Sequence, residues 1–394
     1  MSQSFDVIVI GLGAMGSAAL YQLSKRKTRV LGIDQFTPPH SQGSSHGDTR
    51  ITRQAIGEGS DYVPLVLRSH EIWRELENQT GETLLTLTGG LIFADKHKPT
   101  SHHSSDDFLA ETIATAQRYN IDHQVLDTKD LIQRFPQFNY SGNEIGYFEK
   151  GAGLIRPENC VACQLKLAAQ MGAVIQTQET VNAIEVNSTT NNVTVRTTQG
   201  DYEANNVILT VGAWISTFLP DFYTEIFQVY RQVQYWFEVE GSIELFSPQN
   251  CPIYIRLLAG DEVIYGFPAL DGDQGGIKVA TEQYAVRCSL EQMQRNVSDD
   301  EIKKMYAYTS KYLPISNTCV KAISCLYTVT PDRHFVIDSH PLHPQIILAS
   351  PCSGHGFKHS AAIGEVLADL ALTGQTHFDI SRFSLARFRS TVHR

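Results

Sequence analysis

The sequence predicts an α/β (α+β) fold, in which a Rossmann-like nucleotide-binding domain is interleaved with a second domain built on a mainly antiparallel β-sheet. A strand, a glycine-rich turn and a helix follow one another from residue 6. Short alternating β runs occupy residues 173–211 and 228–282. Two more strands and a helix return at 334–372. The first domain is therefore expected to be assembled from distant parts of the chain.

The composition is that of a globular protein. With 394 residues and 42% hydrophobic side chains, the chain can bury a sizeable core. Its net charge of -10 offers no basic surface for nucleic acid or an anionic membrane. The apolar run near the start has no basic leader and is soon broken by glycines, so neither a signal peptide nor a transmembrane helix is predicted. We expect a cytoplasmic protein without nucleic-acid or membrane partners.

Seven cysteines are scattered along the chain, and this odd number indicates reduced thiols rather than a disulfide framework. Cys160 and Cys163 form a CxxC pair, but the residues around them read as a helix that begins at Pro157. No second cysteine pair or histidine pair at zinc spacing follows. We predict no metal site.

The first element is a βαβ unit with a dinucleotide signature. Gly11, Gly13 and Gly16 form GxGxxG between a strand and a helix, and Asp34 ends the next strand. These glycines allow a tight turn, close approach to a pyrophosphate and packing of helix on strand, while the helix N-terminus offers free amides. An acid at Asp34 accepts hydrogen bonds from ribose hydroxyls and would repel a 2'-phosphate. The motif predicts a dinucleotide, disfavours NADP and leaves FAD and NAD open.

The rest of the chain alternates between helical and β patterns. Residues 95–107 are polar and read as a surface loop. The β run at 173–211 reads as a meander or hairpin that ends in a buried strand, and the aromatic block at 228–282 could form the floor of a pocket. The remaining predicted elements are helices at 62–81, 104–120, 298–313 and 360–372 and strands at 334–338 and 345–350.

Two later stretches favour FAD, which is long and usually held by distant segments of a chain. A buried strand at 207–211 runs into Gly212 and could pass close to the nucleotide. Gly354 and Gly356 precede a helix whose N-terminus could face the flavin pyrimidine and stabilise negative charge on the reduced ring. Either stretch read alone could equally be an ordinary turn.

Four stretches together resemble one family. They are "PPHSQGSSHGDTRITRQAIGEGSDYVPL" at 38–65, "YGFPA" at 265–269, "CLYT" at 325–328 and "SGHGFK" at 353–358. In this order they resemble the monomeric sarcosine oxidase and N-methyltryptophan oxidase family of the D-amino-acid-oxidase-like flavoproteins, nearly end to end. The resemblance implies a monomer that uses FAD to oxidise the secondary amine of an N-methyl amino acid. It also implies that O2 reoxidises the flavin to give H2O2, and that the imine hydrolyses to formaldehyde and the primary amino acid.

The resemblance also implies roles for individual residues. Cys325 matches the cysteine joined to the flavin 8-methyl group by a thioether, although a lone cysteine in an apolar run is more often an ordinary buried thiol. Arg53 and Lys358 match the pair that grips the substrate carboxylate, one as a planar fork and the other as a point charge. Tyr265 and Tyr327 match pocket tyrosines near the amine and the carboxylate.

Three basic residues match positions around the flavin ring. Lys278 matches the lysine beside flavin N5 that activates oxygen, where a fixed positive charge stabilises developing superoxide. Arg50 and His46 match residues whose positive charge stabilises the anionic reduced flavin and favours covalent attachment. His355 and Phe357, in the "SGHGFK" stretch, are predicted to bind the cofactor together with its glycines.

Two positions depart from the family pattern. Ser45 stands where the family often has a histidine before His46, and Glu282 stands where better-known members have a pocket histidine. An acid at 282 would change the charge of the pocket and could favour a substrate with a second amine or polar group. We therefore predict the chemistry and leave open which N-methyl or cyclic secondary amino acid is the substrate.

The predicted FAD-binding domain comprises residues 1–85, 150–220 and 325–394, and the predicted substrate domain comprises 86–149 and 221–324. Two other functions stay open. One is a dehydrogenase that passes electrons to a quinone or a partner protein, and the other is a flavin-binding module without catalysis. The second is disfavoured because a lapsed enzyme has no reason to keep Arg53, Lys278, Cys325 and Lys358 together.

Overall fold

The computed structural model describes residues 3–98, 100–103 and 105–388. The α-helices are α1 (Ala14–Lys25), α2 (Val63–Thr80), α3 (Phe108–Arg118), α4 (Thr128–Arg134), α5 (Pro157–Gln170), α6 (Asp221–Thr224), α7 (Asp299–Thr309) and α8 (Ser360–Thr373). Short 3-10 helices include Ser60–Tyr62, Gly212–Phe218, Gly272–Gln274 and Phe357–His359. Within the described residues, no helix has both the length and the apolar character needed to cross a membrane.

The strands form three sheets. They are β1 (Gln3–Ile10), β2 (Val30–Asp34), β3 (Arg50–Thr52), β4 (Leu85–Thr86), β5 (Gly90–Asp95), β6 (His123–Asp127), β7 (Glu144–Glu149), β8 (Gly153–Ile155), β9 (Val174–Thr177), β10 (Val181–Val186), β11 (Val193–Thr197), β12 (Asp201–Leu209), β13 (Gln228–Val239), β14 (Ile253–Leu257), β15 (Val263–Gly266), β16 (Ile277–Thr281), β17 (Ile315–Val329), β18 (Val336–Ser339) and β19 (Ile346–Ser350). The seven cysteines are free thiols.

The first sheet has the Rossmann-like order β10-β11-β12-β1-β2-β9, with β19 beside β12 and β18 beside β19. Strands β1, β2, β9, β12 and β19 pair in parallel, and β1 is buried on both faces as parallel strands are. Helices α5 and α8 pack against α1. A Cβ on Gly364 of α8 would lie 2.5 Å from the backbone of Ala18, so the glycine permits this close crossing.

The second sheet has the order β17-β13-β16-β15-β14-β5-β7-β6. It is antiparallel except for the β14–β5 pair. The predicted combination of a Rossmann-like domain with a mainly antiparallel sheet is therefore confirmed. The small third sheet, in the order β3-β8-β4, carries Arg50 and lies near the 3-10 helix Phe357–His359.

The structure differs from the sequence prediction in two places. Strands β3 to β8 and helices α4 and α6 were not predicted, since they are short and lack a long apolar period. The prediction of a surface loop at 95–107 is wrong for His102 and His103, whose exposed fractions are 5% and 3%. The carboxylates of Glu58, which is buried, and Glu282, which is half-buried, draw His103 inwards. The division into two domains stays a prediction, and β17 runs across the boundary placed at residue 325.

Candidate active site

The glycine-rich turn forms a close backbone crossing. Gly11 has φ +85°, and a Cβ on Gly16 would lie 1.8 Å from the Gly11 carbonyl oxygen. A Cβ on Gly11 would lie 2.7 Å from the carbonyl oxygen of Thr210. Gly13 is the N-cap of α1, whose first turn has no acidic residue. Only glycines permit this turn, and it presents the amides of the helix N-terminus to a ligand phosphate.

Asp34 fixes the turn from the neighbouring strand. Its Oδ2 accepts a hydrogen bond from the amide of Leu12 at 2.7 Å, and its Oδ1 accepts one from the amide of Phe36 at 2.8 Å. The His40 Nε2 lies 3.5 Å from Oδ1. A carboxylate has about four acceptor positions, so Asp34 retains capacity for ligand hydroxyls.

A cavity of about 470 Å³ begins at this turn, and we call it the nucleotide cavity. Its wall comes from distant parts of the chain and includes Gly11, Gly13, Asp34, Ser45, Arg50, Gly212, Tyr327, Cys352 and Gly356. A long dinucleotide requires such a distribution. Together with the space that the turn glycines leave, these walls fit FAD.

The "SGHGFK" stretch contributes to two cavities. Gly354, with φ +85°, and Phe357 line both the nucleotide cavity and a smaller cavity beside it. Gly356 lines the nucleotide cavity, where a Cβ would lie 1.7 Å from the carbonyl oxygen of Pro351. His355 lies on the smaller cavity alone, so the structure does not bring it to the predicted cofactor contact.

Arg50 and His46 differ in charge. Arg50 lines both cavities, and its guanidinium donates hydrogen bonds to the carbonyl oxygens of Ser44 and His46 at 2.6 Å and of Thr49 at 2.7 Å. Burial, followed by the charge of Arg50, lowers the pKa of His46 to about 4. His46 is therefore neutral at neutral pH in this structure and Arg50 carries the charge at this position, while a role for His46 beside the flavin stays a prediction.

Cys325 is fully buried in β17 at a register fixed by β13. It pairs with Gln232, and Tyr327 pairs with Tyr230 two positions on. Cys325, Tyr327 and Tyr230 belong to one apolar cluster, as the two-residue strand period predicts. Gln234 Nε2 donates a hydrogen bond to the Cys325 sulfur at 3.5 Å. Burial raises the pKa of the thiol, and the Arg50 and Lys278 charges oppose that rise.

The smaller cavity, about 70 Å³, is the central cavity. It shares Arg50, Tyr327, Gly354 and Phe357 with the nucleotide cavity. The other charged side chains on its wall are Arg53, Glu58, Lys278, Glu282 and Lys358. The central cavity is thus a small, charged chamber that adjoins the nucleotide cavity.

Arg53 and Lys358 meet at Glu58 in this chamber. Arg53 Nη1 donates a hydrogen bond to the carbonyl oxygen of Ala55 at 2.6 Å, and Nη2 donates one to Glu58 Oε2 at 2.5 Å. Lys358 Nζ donates to the carbonyl oxygen of His355 at 2.9 Å and lies 3.8 Å from Glu58 Oε1. Arg53 Nε is buried and has no hydrogen-bond partner among the described residues. Two cations with spare donors therefore face the chamber.

The charges of this group are set by burial and by one another. Burial lowers the pKa of Lys358 to about 8, so its charge is present at neutral pH and is lost above that value. Burial alone would raise the pKa of Glu58, but Arg53 and Lys358 hold it well below its usual range. Glu58 is therefore ionised and keeps the two cations in place.

Glu282 belongs to a second polar group of the central cavity, together with His103 and Tyr284. Its Oε2 accepts hydrogen bonds from His103 Nε2 at 2.8 Å and from the Tyr284 hydroxyl at 2.6 Å. His103 holds the pKa of Glu282 below its usual range against the effect of burial. Glu282 Oε1 has no hydrogen bond to a described residue. Ligand atoms of His102, His103 and Glu282 lie within 4.8 Å of one another, a spacing that a metal ion could use.

Tyr265 and Tyr327 stand side by side on the central cavity. Their hydroxyl oxygens are 3.5 Å apart. Burial raises the pKa of both hydroxyls above the usual value, and the nearby Glu282 adds to the rise. Both side chains are therefore neutral hydrogen-bonding groups. The structure brings these predicted pocket tyrosines together with Arg53, Lys358 and Glu282.

Lys278 is buried between the central cavity and a further cavity. Its Nζ donates hydrogen bonds to the carbonyl oxygens of Gly47 at 2.7 Å and Thr49 at 2.9 Å and to Thr49 Oγ1 at 3.1 Å. It also lies 5.1 Å from the ring centre of Trp236 and 4.6 Å from that of Phe267. Three acceptors match the three donors of an ammonium group. Burial, then Arg50, lowers the pKa of Lys278 well below its usual range.

Glu58, His102 and His103 are the residues of this site that the sequence did not reveal. Glu58 lies inside the stretch that resembles the family, but nothing in the local pattern separates it from a surface acid. His102 and His103 lie in a polar segment typical of a loop. The signal that could have revealed them is charge balance: buried charged groups brought together in one chamber need buried partners of opposite charge.

The fold and the two adjoining cavities indicate the class of protein, which is a dinucleotide-binding oxidoreductase with a small charged chamber next to its cofactor. Residues 6–370 match the sequence profile described as "FAD dependent oxidoreductase". The chain is 42% identical over 389 residues to the monomeric sarcosine oxidase of Streptomyces avermitilis, covering 98% of each chain. It is 32% identical over 388 residues to the N-methyl-L-tryptophan oxidase of Salmonella heidelberg, covering 98% of this chain and 99% of that one. The chain belongs to the FAD-dependent oxidoreductase family, and its cofactor is FAD.

Solved structures support the same fold. NikD, an unusual amino acid oxidase essential for nikkomycin biosynthesis, matches 97% of this chain and 98% of its own with a TM-score of 0.81 at 21% identity. The L-proline dehydrogenase from P. horikoshii matches 99% of both chains with a TM-score of 0.80 at 17% identity. At these identities the likeness concerns the fold alone.

Proposed function

We propose that this protein is an FAD-dependent oxidase that removes the methyl group from an N-methyl amino acid, with O2 as electron acceptor. The central observation is that Arg53 and Lys358 line a chamber that shares a wall with the nucleotide cavity. Relatives named for sarcosine and N-methyl-L-tryptophan oxidation, at 42% and 32% identity over nearly the full length, support the proposal.

The proposed binding mode follows from the free donors. The substrate carboxylate receives hydrogen bonds from Arg53 Nε and from the spare N–H groups of Lys358, and these charge-assisted bonds fix the substrate by its constant end. Tyr265 and Tyr327 line the central cavity beside these cations, and Tyr327 also lines the nucleotide cavity. Bound FAD supplies the two-electron acceptor for the hydride from the carbon next to nitrogen. The imine then takes up water to give formaldehyde and the primary amino acid.

The proposed oxygen chemistry depends on Lys278. A fixed positive charge in a dry site stabilises negative charge that develops on oxygen, because no solvent has to reorganise. Lys278 is held by three hydrogen bonds and two aromatic rings, so its position is fixed before oxygen arrives. H2O2 is the expected product. A cytoplasmic location and a monomeric state stay predictions.

The proposed function is tested by a screen of the purified holoprotein. The panel contains sarcosine, N-methyltryptophan, other N-methyl amino acids and cyclic secondary amino acids, and both H2O2 and formaldehyde are measured. We expect both products in equal amounts with at least one N-methyl amino acid. Reduction of a dye without peroxide would identify the dehydrogenase alternative. Failure of every substrate to bleach the flavin would favour the non-catalytic module.

We propose that Cys325 attaches the flavin covalently. Attachment replaces the thiol S–H and one C–H of the flavin 8-methyl group with an S–C bond, and the two electrons released reduce the ring, which O2 reoxidises. The expected result is that acid-precipitated wild-type protein stays yellow, whereas Cys325→Ser protein releases its FAD into the supernatant. Absorbance of both fractions at the flavin maximum measures the outcome.

Cys352 provides the matched control for this experiment. It is also a free thiol, half-buried where Cys325 is buried, and unlike Cys325 it lines the nucleotide cavity directly. Cys352→Ser protein should keep its flavin in the pellet. If Cys352→Ser protein released its FAD and Cys325→Ser protein retained it, the flavin would be attached to Cys352, and the proposed role of Cys325 would be wrong.

Glu282 is proposed to contact the substrate side chain through Oε1, which has no hydrogen bond to a described residue. Replacing Glu282 with histidine should lower kcat/KM for Nα-methylornithine relative to N-methylnorvaline by about 10- to 100-fold, because a hydrogen bond to a charged group is lost. The two substrates differ in the side-chain amine and are otherwise similar in size. Tyr284→Phe removes only a bond to the other carboxylate oxygen and serves as control. An unchanged ratio in Glu282→His protein would exclude contact with the side chain.

A further inference from the structure

A third cavity, of about 380 Å³, adjoins the central cavity at Lys278 and shares no lining residue with the nucleotide cavity, and we call it the side cavity. Lys278, Thr49 and Phe267 line both the side cavity and the central cavity. These three side chains therefore form a thin wall between the two spaces. The residues assigned above to the nucleotide and to the substrate carboxylate do not line the side cavity.

The side cavity reaches the protein surface. Asp48 and Lys321, which form an ion pair at 2.5 Å, are on its wall and are 37% and 43% exposed at their side chains. Asn159, in the first turn of α5, is exposed and also lines the cavity. A small molecule can thus enter from solvent at these residues and reach Lys278 without passing Arg53.

Part of the side-cavity wall is apolar, beside charged residues that include Arg156, Glu158 and Asp271. The apolar part is formed by Trp236, Phe267, Pro268 and Leu270. Lys278 and Lys321 lie over the Trp236 ring at 5.1 and 4.7 Å from its centre, so the indole is held between a buried and a surface cation. An apolar face that ends at a buried cation suits a small, neutral and polarisable molecule that acquires negative charge on reaction.

We propose that the side cavity is the entry route by which O2 reaches Lys278. This inference rests on the proposed oxidase function. The central cavity is only about 70 Å³ and is filled while an amino acid or imine is bound. A separate route lets O2 reach the reduced cofactor while the central cavity is occupied, so the two ligands do not compete for one opening.

Asn159 offers a test that leaves the described hydrogen bonds intact. Asn159→Trp fills the mouth of the side cavity, and Asn159→Ala is the matched control. The flavin of each holoprotein is reduced with dithionite and then mixed with oxygenated buffer in a stopped-flow instrument, so that this test needs no amino acid. Reduction of the oxidised flavin by an N-methyl amino acid without oxygen is measured separately. Crystals of each protein under xenon pressure report whether the side cavity is open.

We expect reoxidation to slow several-fold in Asn159→Trp protein only, and reduction by the amino acid to be unchanged. We expect xenon in the side cavity of the wild type and of Asn159→Ala protein, but not in that of Asn159→Trp protein. Normal reoxidation in Asn159→Trp protein that excludes xenon would overturn the inference, and so would a wild-type side cavity that xenon does not enter. Equal slowing of reduction and reoxidation would also overturn it, because the route would not be separate. Failure of every amino acid to reduce the flavin would contradict the proposed function and leave the dithionite test decisive for the route.

Discussion

Replacing Arg53 with methionine is expected to lower kcat/KM for N-methyl amino acids by between about 30-fold and several thousandfold. Arg53 is 3% exposed and lines the central cavity, and its buried Nε has no hydrogen-bond partner in the described part of the chain. Removing one partner of a buried, hydrogen-bonded charge pair costs about 2–5 kcal/mol, and each 1.36 kcal/mol is tenfold in rate. Steady-state peroxide release over a range of substrate concentrations measures the loss, which should lie mainly in KM.

Arg53 also holds Glu58, so the variant must be checked for folding. Flavin content and the temperature of thermal unfolding report whether the site is intact. Arg53→Lys keeps the positive charge and loses the planar fork, and it should recover part of the lost kcat/KM. A folded, flavin-loaded Arg53→Met protein with wild-type KM would show that the carboxylate binds elsewhere.

Replacing Lys278 with methionine is expected to slow reoxidation of the reduced flavin by O2 about 100- to 1,000-fold, since one preorganised charge contributes about that much to a rate. Reduction of the flavin by the amino acid should change only a few-fold, because Arg53, Lys358 and the tyrosines stay in place. Stopped-flow absorbance separates the two half-reactions. Equal slowing of both would contradict the role assigned to Lys278.

The pH dependence of reoxidation provides an independent check on Lys278. Burial lowers the pKa of this lysine well below its usual range, so the charge is fully present below that lowered pKa and is lost as pH rises through it. The rate of reoxidation should therefore fall with rising pH earlier than for an ordinary lysine. Lys278→Arg keeps the charge and should remove the decline, and Lys278→Met should give a low rate at every pH.

The parts of the fold that depend on local pattern were predictable. The turn at Gly11 and Gly16 is dictated by backbone approaches that no side chain permits, and these leave a signature in the sequence itself. The period of two in β17 placed Cys325 and Tyr327 together, and the structure shows the same cluster. The α/β class followed from the alternation of these local patterns.

The parts of the site that depend on distant pairing were not predictable. Glu58 is informative only once Arg53 and Lys358 are known to converge on it. His103 lies in a polar stretch, and its burial results from Glu282, far along the chain. The family resemblance brought Arg53, Lys278 and Lys358 to attention, but their counter-charges appear only in three dimensions.

The most direct test of the proposed oxidase is a sequential-mixing experiment on the wild-type holoprotein. The protein is first mixed with an N-methyl amino acid in the absence of oxygen, and then with oxygenated buffer, while flavin absorbance is followed and formaldehyde and H2O2 are measured. We expect complete bleaching in the first step and full recovery in the second, and with one equivalent of amino acid per flavin we expect one formaldehyde and one H2O2 per flavin. An absorbance that stays unchanged with every N-methyl amino acid, or recovery without H2O2, would contradict the proposed oxidase function.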